Sequence, residues 1–322
     1  MKSVLCAGEV LWDFQSRSCY KGLGKSSIFV KNPGGSPANV AVGLSKLGVE
    51  VTFLGKVGKD TFGVALVETL QRFGVDTSRM ILANNMKTTL AFVAINEEGK
   101  PEYEFYRENA ADTYLTIEEV KNLQVQDYSL FHTGSLALTR DPTASTLMKL
   151  YARFHDEHIL TSLDPNIRQG SWDNENRYMT RLKTLCKMVD ILKLNEADLH
   201  YITGEKELEV ALEKLADMRK EKITFVTLGE KGSLVMKNHQ IRQIKGFKVR
   251  VVDTTGCGDA YMAAVLARLH GRSILELCEL RIDELEEIAL FASAAASIAA
   301  TRLGAMGTMP TLREIEEFLE RR

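Results

Sequence analysis

Asp253-Thr-Thr-Gly-Cys-Gly-Asp-Ala-Tyr-Met-Ala-Ala-Val-Leu266 decides how this chain is read. Small residues and two glycines, Gly256 and Gly258, precede Asp259, so the backbone can turn sharply and present successive amide N–H groups. The apolar residues that follow, Tyr261, Met262, Val265, Leu266 and Leu269, have helical spacing, which sets those amides at a helix N-terminus. The amides of Gly256, Cys257 and Gly258, with the positive end of the helix dipole, suit an anion. Asp259 stands at the mouth of that nest. Taken alone, Gly-x-Gly-Asp is also ordinary helix punctuation, with the acid as a cap.

A second stretch, Pro33-Gly-Gly-Ser-Pro-Ala-Asn-Val-Ala-Val-Gly-Leu-Ser-Lys-Leu-Gly48, is built in the same way. Ser36 before Pro37 predicts an N-cap with proline at the first helical position, Val40, Leu44 and Leu47 an apolar stripe, and Gly48 the far end. Gly34 and Gly35 let a small ligand approach the backbone, and Asn39 faces the same point. Together the two stretches resemble the two signatures of the PfkB, or ribokinase-like, family of sugar and nucleoside kinases. In that family the paired glycines and the asparagine bind the sugar, and the second signature carries an anion hole and the catalytic base. Cys257 stands where the second signature usually has alanine; both residues are small. The resemblance extends over essentially the whole chain.

Composition agrees with a soluble globular protein. At 322 residues, 45% hydrophobic and 26% charged, the chain can bury a sizeable core. A formal net charge of −2 gives no ground for nucleic acid or an anionic membrane as partner. Five scattered cysteines, Cys6, Cys19, Cys186, Cys257 and Cys278, lack metal-ligand spacing and fit a reducing cytoplasm. Glu9 and Asp13 interrupt the N-terminal apolar run too early for a signal peptide. No P-loop occurs, and Tyr261 takes the place of the third glycine of a dinucleotide fingerprint. Cys257 has no positioned base beside it, which argues against a thiol nucleophile.

From Val51 onward, strands expected at Val51–Val57, Leu130–His132, Ile159–Leu163, Ile191–Leu194 and Thr224–Leu228 alternate with amphipathic segments at Phe62–Phe73, Ala144–His155 and Tyr178–Cys186. Short apolar runs between helices predict βαβ units, hence an α/β fold whose central, mostly parallel sheet is covered by helices on both faces. Helices are expected again at Asp283–Thr301 and Leu312–Leu319. Val4–Val10 predicts a first strand with Asp13 at its carboxyl end, where open parallel sheets bind ligands. Residues 14–32 and 86–107 differ: the second segment reads as a hairpin with no helix between its strands. Both are expected to form a small β lid over the site, inserted in one kinase domain spanning residues 1–322. A thin lid excludes water and leaves open edges, so a homodimer through the lid is expected.

The resemblance assigns further residues. It implies Asp13 and Arg168 at the substrate site, Arg168 being able to grip a phosphate as a fork, and Arg107 reaching from the lid towards the sugar. Asn195 and Asp198 match the family's Asn-x-x-Glu motif on the nucleotide and magnesium side, with a shorter acid at the fourth place. Thr227, Gly229 and Gly232 resemble the nucleotide-phosphate loop, and Asp253, Thr255, Gly304 and Thr308 the surroundings of a potassium ion. The implied reaction is transfer of the γ-phosphoryl group of ATP, with Mg²⁺, to a sugar hydroxyl, Asp259 taking the proton. Pro33 to Asn39 and Glu104-Phe-Tyr-Arg107 are most similar to bacterial fructokinases, which implies fructose; 2-keto-3-deoxygluconate follows, then ribose and nucleosides. A catalytically silent sugar-binding protein on the same fold is the alternative from another class, against which the intact Asp259 and glycines argue.

Overall fold

The computed structural model of the protein describes residues 2–18 and 20–321, so Cys19 lies outside the described residues. Its strands are β1 (Ser3–Ala7), β2 (Leu11–Ser16), β3 (Phe29–Gly34), β4 (Val51–Gly58), β5 (Asp76–Ala83), β6 (Leu90–Ile95), β7 (Pro101–Tyr106), β8 (Tyr128–Gly134), β9 (Leu160–Asp164), β10 (Ile191–Asn195), β11 (Ile223–Thr227), β12 (Ser233–Lys237) and β13 (Gln240–Ile244). Its helices are α1 (Ser36–Lys46), α2 (Thr61–Arg72), α3 (Ile117–Val120), α4 (Thr143–Asp156), α5 (Glu175–Met188), α6 (Glu196–Thr203), α7 (Leu208–Met218), α8 (Cys257–Leu269), α9 (Ile274–Glu279), α10 (Ile282–Ala300) and α11 (Leu312–Glu320).

Nine strands form the central sheet in the order β13-β12-β11-β10-β9-β8-β1-β4-β5, parallel from β11 to β5. The inner strands are buried along nearly their whole length, as expected of a sheet covered on both faces. One apolar layer joins the sheet to α1, α8 and α10, the other to α4, α5, α6 and α7. No helix of the described residues is long and apolar enough to cross a membrane.

The edge hairpin β12–β13 is antiparallel and was not anticipated. Asn238 and His239 turn it with φ of 50° and 61°, the geometry of a mirror-image two-residue turn, without the glycine that normally announces one. Strand β5 also escaped notice, because its first half, Asp76-Thr-Ser-Arg79, is polar and half exposed.

Two local expectations are corrected. The first strand stops at Ala7, because Gly8 takes φ +146° where a Cβ would meet the Pro37 ring at 2.7 Å. Asp13 is therefore not at the end of a central strand but in the middle of β2, in a separate sheet. At α1, Gly35 with φ +101° is the cap, and Ser36 is the first helical residue rather than the N-cap.

The separate sheet has the order β3-β2-β6-β7 and combines the two segments that stood apart in the sequence. Alternation along its strands gives it two faces. Leu11, Asp13, Gln15, Val93, Tyr103 and Phe105 face a cavity. On the other side Phe14 stacks on Phe92 at 4.9 Å and meets Phe62 of α2 edge-on at 6.2 Å. The Trp12 indole N–H donates to the Phe62 carbonyl at 2.9 Å, which fastens the small sheet to the body.

Candidate active site

A cavity of about 680 Å³ opens between the small sheet, the heads of α1 and α8, and the carboxyl ends of the parallel strands. Cavities of a few hundred to a thousand cubic ångströms in this place are usual ligand sites in α/β sheets.

The head of α8 forms its floor. Gly256 caps the helix with φ +79°, a conformation that favours glycine, and a Cβ there would come within 3.1 Å of the Ala305 backbone. The Cys257 amide is shared with the Thr254 carbonyl at 3.3 Å. Gly256, Gly258 and Asp259 line the cavity, whereas Cys257 does not. Burial, with Asp253 and Asp259 nearby, pushes the Cys257 thiol up to about 11, so it is no nucleophile at neutral pH.

Asp259 is buried and held from α1. The Ser36 hydroxyl donates to Oδ1 at 2.6 Å and the Asn39 amide nitrogen to Oδ2 at 2.7 Å. Asn39 Oδ1 is buried without a hydrogen-bond partner among the described residues, and Asn39 lines the cavity. The glycines before α1 serve close packing. A Cβ on Gly35 would lie 2.5 Å from the Glu9 carbonyl, and one on Gly34 would lie 2.0 Å from Asp13 Oδ2. Gly35 reaches the cavity; Gly34 stands behind the Asp13 carboxylate.

Asp13 projects from the small sheet into the same space. Burial raises its carboxyl to about 7, against the opposing Arg168 guanidinium and with help from the Asp259 charge. Arg168 enters from the loop after β9, 5.7 Å from the Tyr103 ring. On the opposite side Asn195, at the N-cap of α6, Thr227, at the end of β11, and Gly229, just after it, line the cavity.

Several expected site residues lie elsewhere. Arg107 is buried behind the wall: its guanidinium pairs with Asp112 at 2.7 Å and donates to Thr139 Oγ1 and the Leu136 carbonyl. It holds the turn that follows β8 and does not line the cavity. Asp198 is one layer back, accepting from the Ile167 and Asn195 N–H groups; its Oδ1 bond to Ile167 is 3.1 Å and its own amide donates to Asn195 Oδ1 at 2.8 Å. Gly232 packs against the β13 end, where a Cβ would strike the Ile244 carbonyl at 2.0 Å. Asp253 ties the loop before α8 to the turn after α10: Oδ1 accepts the Thr255 amide and hydroxyl, and Oδ2 the Gly304 amide at 3.0 Å. Thr255 and Gly304 reach the cavity rim, while the Thr308 hydroxyl donates to the Ala305 carbonyl at 2.6 Å.

Glu9, Ser36 and Lys193 are among the lining residues that the sequence reading did not assign to the site. Glu9 sits deep in the cavity, accepting the Ala137 amide at 3.1 Å, and burial raises its carboxyl to about 7. Ser36 was read only as a cap. Lys193, in the buried strand β10, pairs through Nζ with Asp164 Oδ2 at 2.8 Å and also lines the cavity. A charge inside an otherwise apolar strand was the available signal for Lys193, since such a residue needs a partner or a task.

Known proteins resemble the chain along nearly its whole length. Residues 1–312 match the family described as pfkB family carbohydrate kinase. Fructokinase-1 of Zea mays is 32% identical over 319 residues, covering 99% of this chain and 98% of its own. A fructokinase structure from Xylella fastidiosa with bound ATP superposes with a TM-score of 0.88 at 28% identity, covering 99% and 98%. A double-mutant fructokinase of Vibrio cholerae O395, in a form with fructose, ADP and potassium ion bound, gives a TM-score of 0.86 at 26% identity and the same coverage.

Proposed function

The chain belongs to the pfkB family of carbohydrate kinases, and from that premise we propose that it transfers the γ-phosphoryl group of ATP to fructose, giving fructose 6-phosphate. Full-length similarity to fructokinases supports the substrate. The observation that carries the mechanism is Asp259, pinned by Ser36 and Asn39 beside Gly256 and Gly258 of the α8 head, inside one cavity.

In this reading the sugar lies against Asp13, Asn39, Gly35 and Arg168, below the small sheet, which acts as a lid inserted in a single kinase domain. Asp259 accepts the proton of the attacking hydroxyl. A carboxylate is a weak base, but a loose phosphoryl-transfer transition state needs orientation and late deprotonation more than basicity. The Gly256, Cys257 and Gly258 amides meet the charge on the moving group. Asn195, Thr227 and Gly229 take the nucleotide side, with Asp198 positioning Asn195. Mg²⁺ commonly keeps several waters and binds through substrate phosphates with one or two carboxylates. Asn195 and the cavity-lining Glu196 are the side chains able to meet that hydrated ion, which neutralises phosphate charge when bound.

Asp253, Thr255, Gly304 and Thr308 carry oxygen donors of the kind suited to K⁺, whose charge would steady the loop carrying the amides. The lid leaves Ile28 and Tyr106 64% and 65% exposed, which supports a homodimer covered there; the expected check is sedimentation at twice the chain mass at micromolar concentration. The free thiols Cys6, Cys186, Cys257 and Cys278 suit a cytoplasmic enzyme.

The test is ADP release from ATP and Mg²⁺ with fructose, 2-keto-3-deoxygluconate, ribose, glucose and adenosine. Fastest turnover with fructose is expected. Preference for 2-keto-3-deoxygluconate would replace the substrate, although the burial of Arg107 removes the lid cation that would have met its carboxylate.

A further inference from the structure

Lys193 interrupts the apolar run Ile191, Leu192 and Leu194 of β10, and all four residues are buried. Alternation puts Lys193 on the same face of the sheet as α8. A Cβ built on Gly258 would lie 2.8 Å from its Nζ, so the ammonium rests against the first turn of α8, one residue from Asp259. Its side chain is 3% exposed, yet it lines the cavity. An ammonium has three N–H donors, and Asp164 Oδ2 takes one of them at 2.8 Å. Asp164 Oδ1 is buried with no hydrogen-bond partner among the described residues.

We propose that Lys193 is a catalytic residue, whose ammonium donates to the γ-phosphoryl group as it passes from ATP to the acceptor hydroxyl. This rests on the kinase reading given above. In the transfer, the bond from the γ phosphorus to the bridging oxygen breaks and ADP leaves with the electron pair. The acceptor oxygen bonds to phosphorus, and its proton goes to Asp259. The peripheral oxygens keep their charge throughout, and two cations of different kinds face them: the partial charge of the α8 amides and the full charge of Lys193. Burial alone would lower the Lys193 basicity, but Asp164, Asp259 and Asp198 outweigh it and raise it, so the donor stays charged. Asp164 serves as the positioning residue: it fixes the ammonium on the cavity side of the sheet. A point charge on a flexible stem also suits a group that moves during the reaction better than a fixed fork does.

A purely structural ion pair between Lys193 and Asp164 would give the same static picture, so the test must separate the two. Lys193→Ala is measured together with the double variant Lys193→Ala/Asp164→Asn, which leaves no uncompensated buried carboxylate. Turnover and KM are read from ADP release with ATP and the preferred sugar, with and without n-propylammonium, and with tetramethylammonium as the ionic control. The expected result is a fall in kcat of about a hundredfold or more in both variants, the scale of losing one preorganised donor, with KM for the sugar unchanged. Propylammonium is expected to restore turnover saturably, tetramethylammonium not. A folded double variant that keeps wild-type kcat, or whose loss is untouched by propylammonium, overturns the proposal. A wild-type protein without turnover on any sugar overturns the kinase reading and this inference together.

Discussion

Asn39 and Asp259, 220 positions apart, are joined by a buried 2.7 Å hydrogen bond between the heads of α1 and α8. The bond makes one site out of the two glycine-rich stretches. With Ser36 on the other oxygen, it leaves the Asp259 carboxylate one orientation, towards the cavity.

Removing the Ser36 donor should therefore loosen the base without emptying the site. A hydrogen bond to a charged group contributes about 1.5–3 kcal/mol. Ser36→Ala is expected to lower kcat by about tenfold to a hundredfold on that scale, with KM for ATP unchanged. Steady-state kinetics on Ser36→Ala and Ser36→Thr check this; full activity in the alanine variant would mean that Asn39 alone suffices.

Asp13 gives a pH signature. In the folded protein its carboxyl holds a proton up to about 7, whereas in the unfolded chain it ionises near 4. Across that window the native state binds more protons, so the stability this group contributes below about 4 is lost as pH rises through about 7. Asp13→Asn should melt at a higher temperature than wild type above pH 7 and lose that advantage in acid. Its kcat/KM for fructose should fall, since the ionised acid is the acceptor for sugar hydroxyls. A wild-type-like melting profile together with unchanged kcat/KM would remove Asp13 from the sugar site.

Arg107 tests the wall rather than the lid. Removing one member of a pair whose side chains are 3% and 2% exposed leaves a buried charge, at a cost of about 3–5 kcal/mol. Arg107→Met should unfold at much lower temperature, and adding Asp112→Asn should recover part of the loss. In the double variant KM for fructose should stay near wild type. A large rise in KM with stability restored would show that Arg107 does reach the sugar.

The Asp253 cluster makes a cation prediction. Turnover in potassium buffers should exceed that in sodium buffers of equal ionic strength, and Asp253→Asn should abolish the difference. Equal rates in both buffers for the wild type would count against a potassium ion.

The sequence was most informative where a local rule had only one solution. Gly256 and Gly258 before a helical apolar run could only be a turn feeding a helix, and the alternation from Val51 onward could only be a covered parallel sheet. Asp13 was placed in the right cavity for the wrong reason, because the break at Gly8 depends on how closely Pro37 approaches it. Arg107 was misread because its partner, Asp112, is supplied by the following turn and has no mark in the motif. Glu9 and Lys193 were passed over for a related reason. Each sits in or beside an apolar strand, where a pattern of hydrophobicity registers the strand and is silent about the charge. Their partners, the Ala137 amide in the turn after β8 and Asp164 in β9, are brought near only by the sheet order.

The central claim is that Asp259 takes the acceptor proton in an ATP-dependent transfer to fructose. The most direct test compares ADP release by wild type and Asp259→Asn under saturating ATP, Mg²⁺ and fructose, with calorimetric binding of both ligands to each protein. Binding preserved in both and turnover lower by several orders of magnitude in Asp259→Asn is the predicted result. Normal turnover in that variant would contradict it.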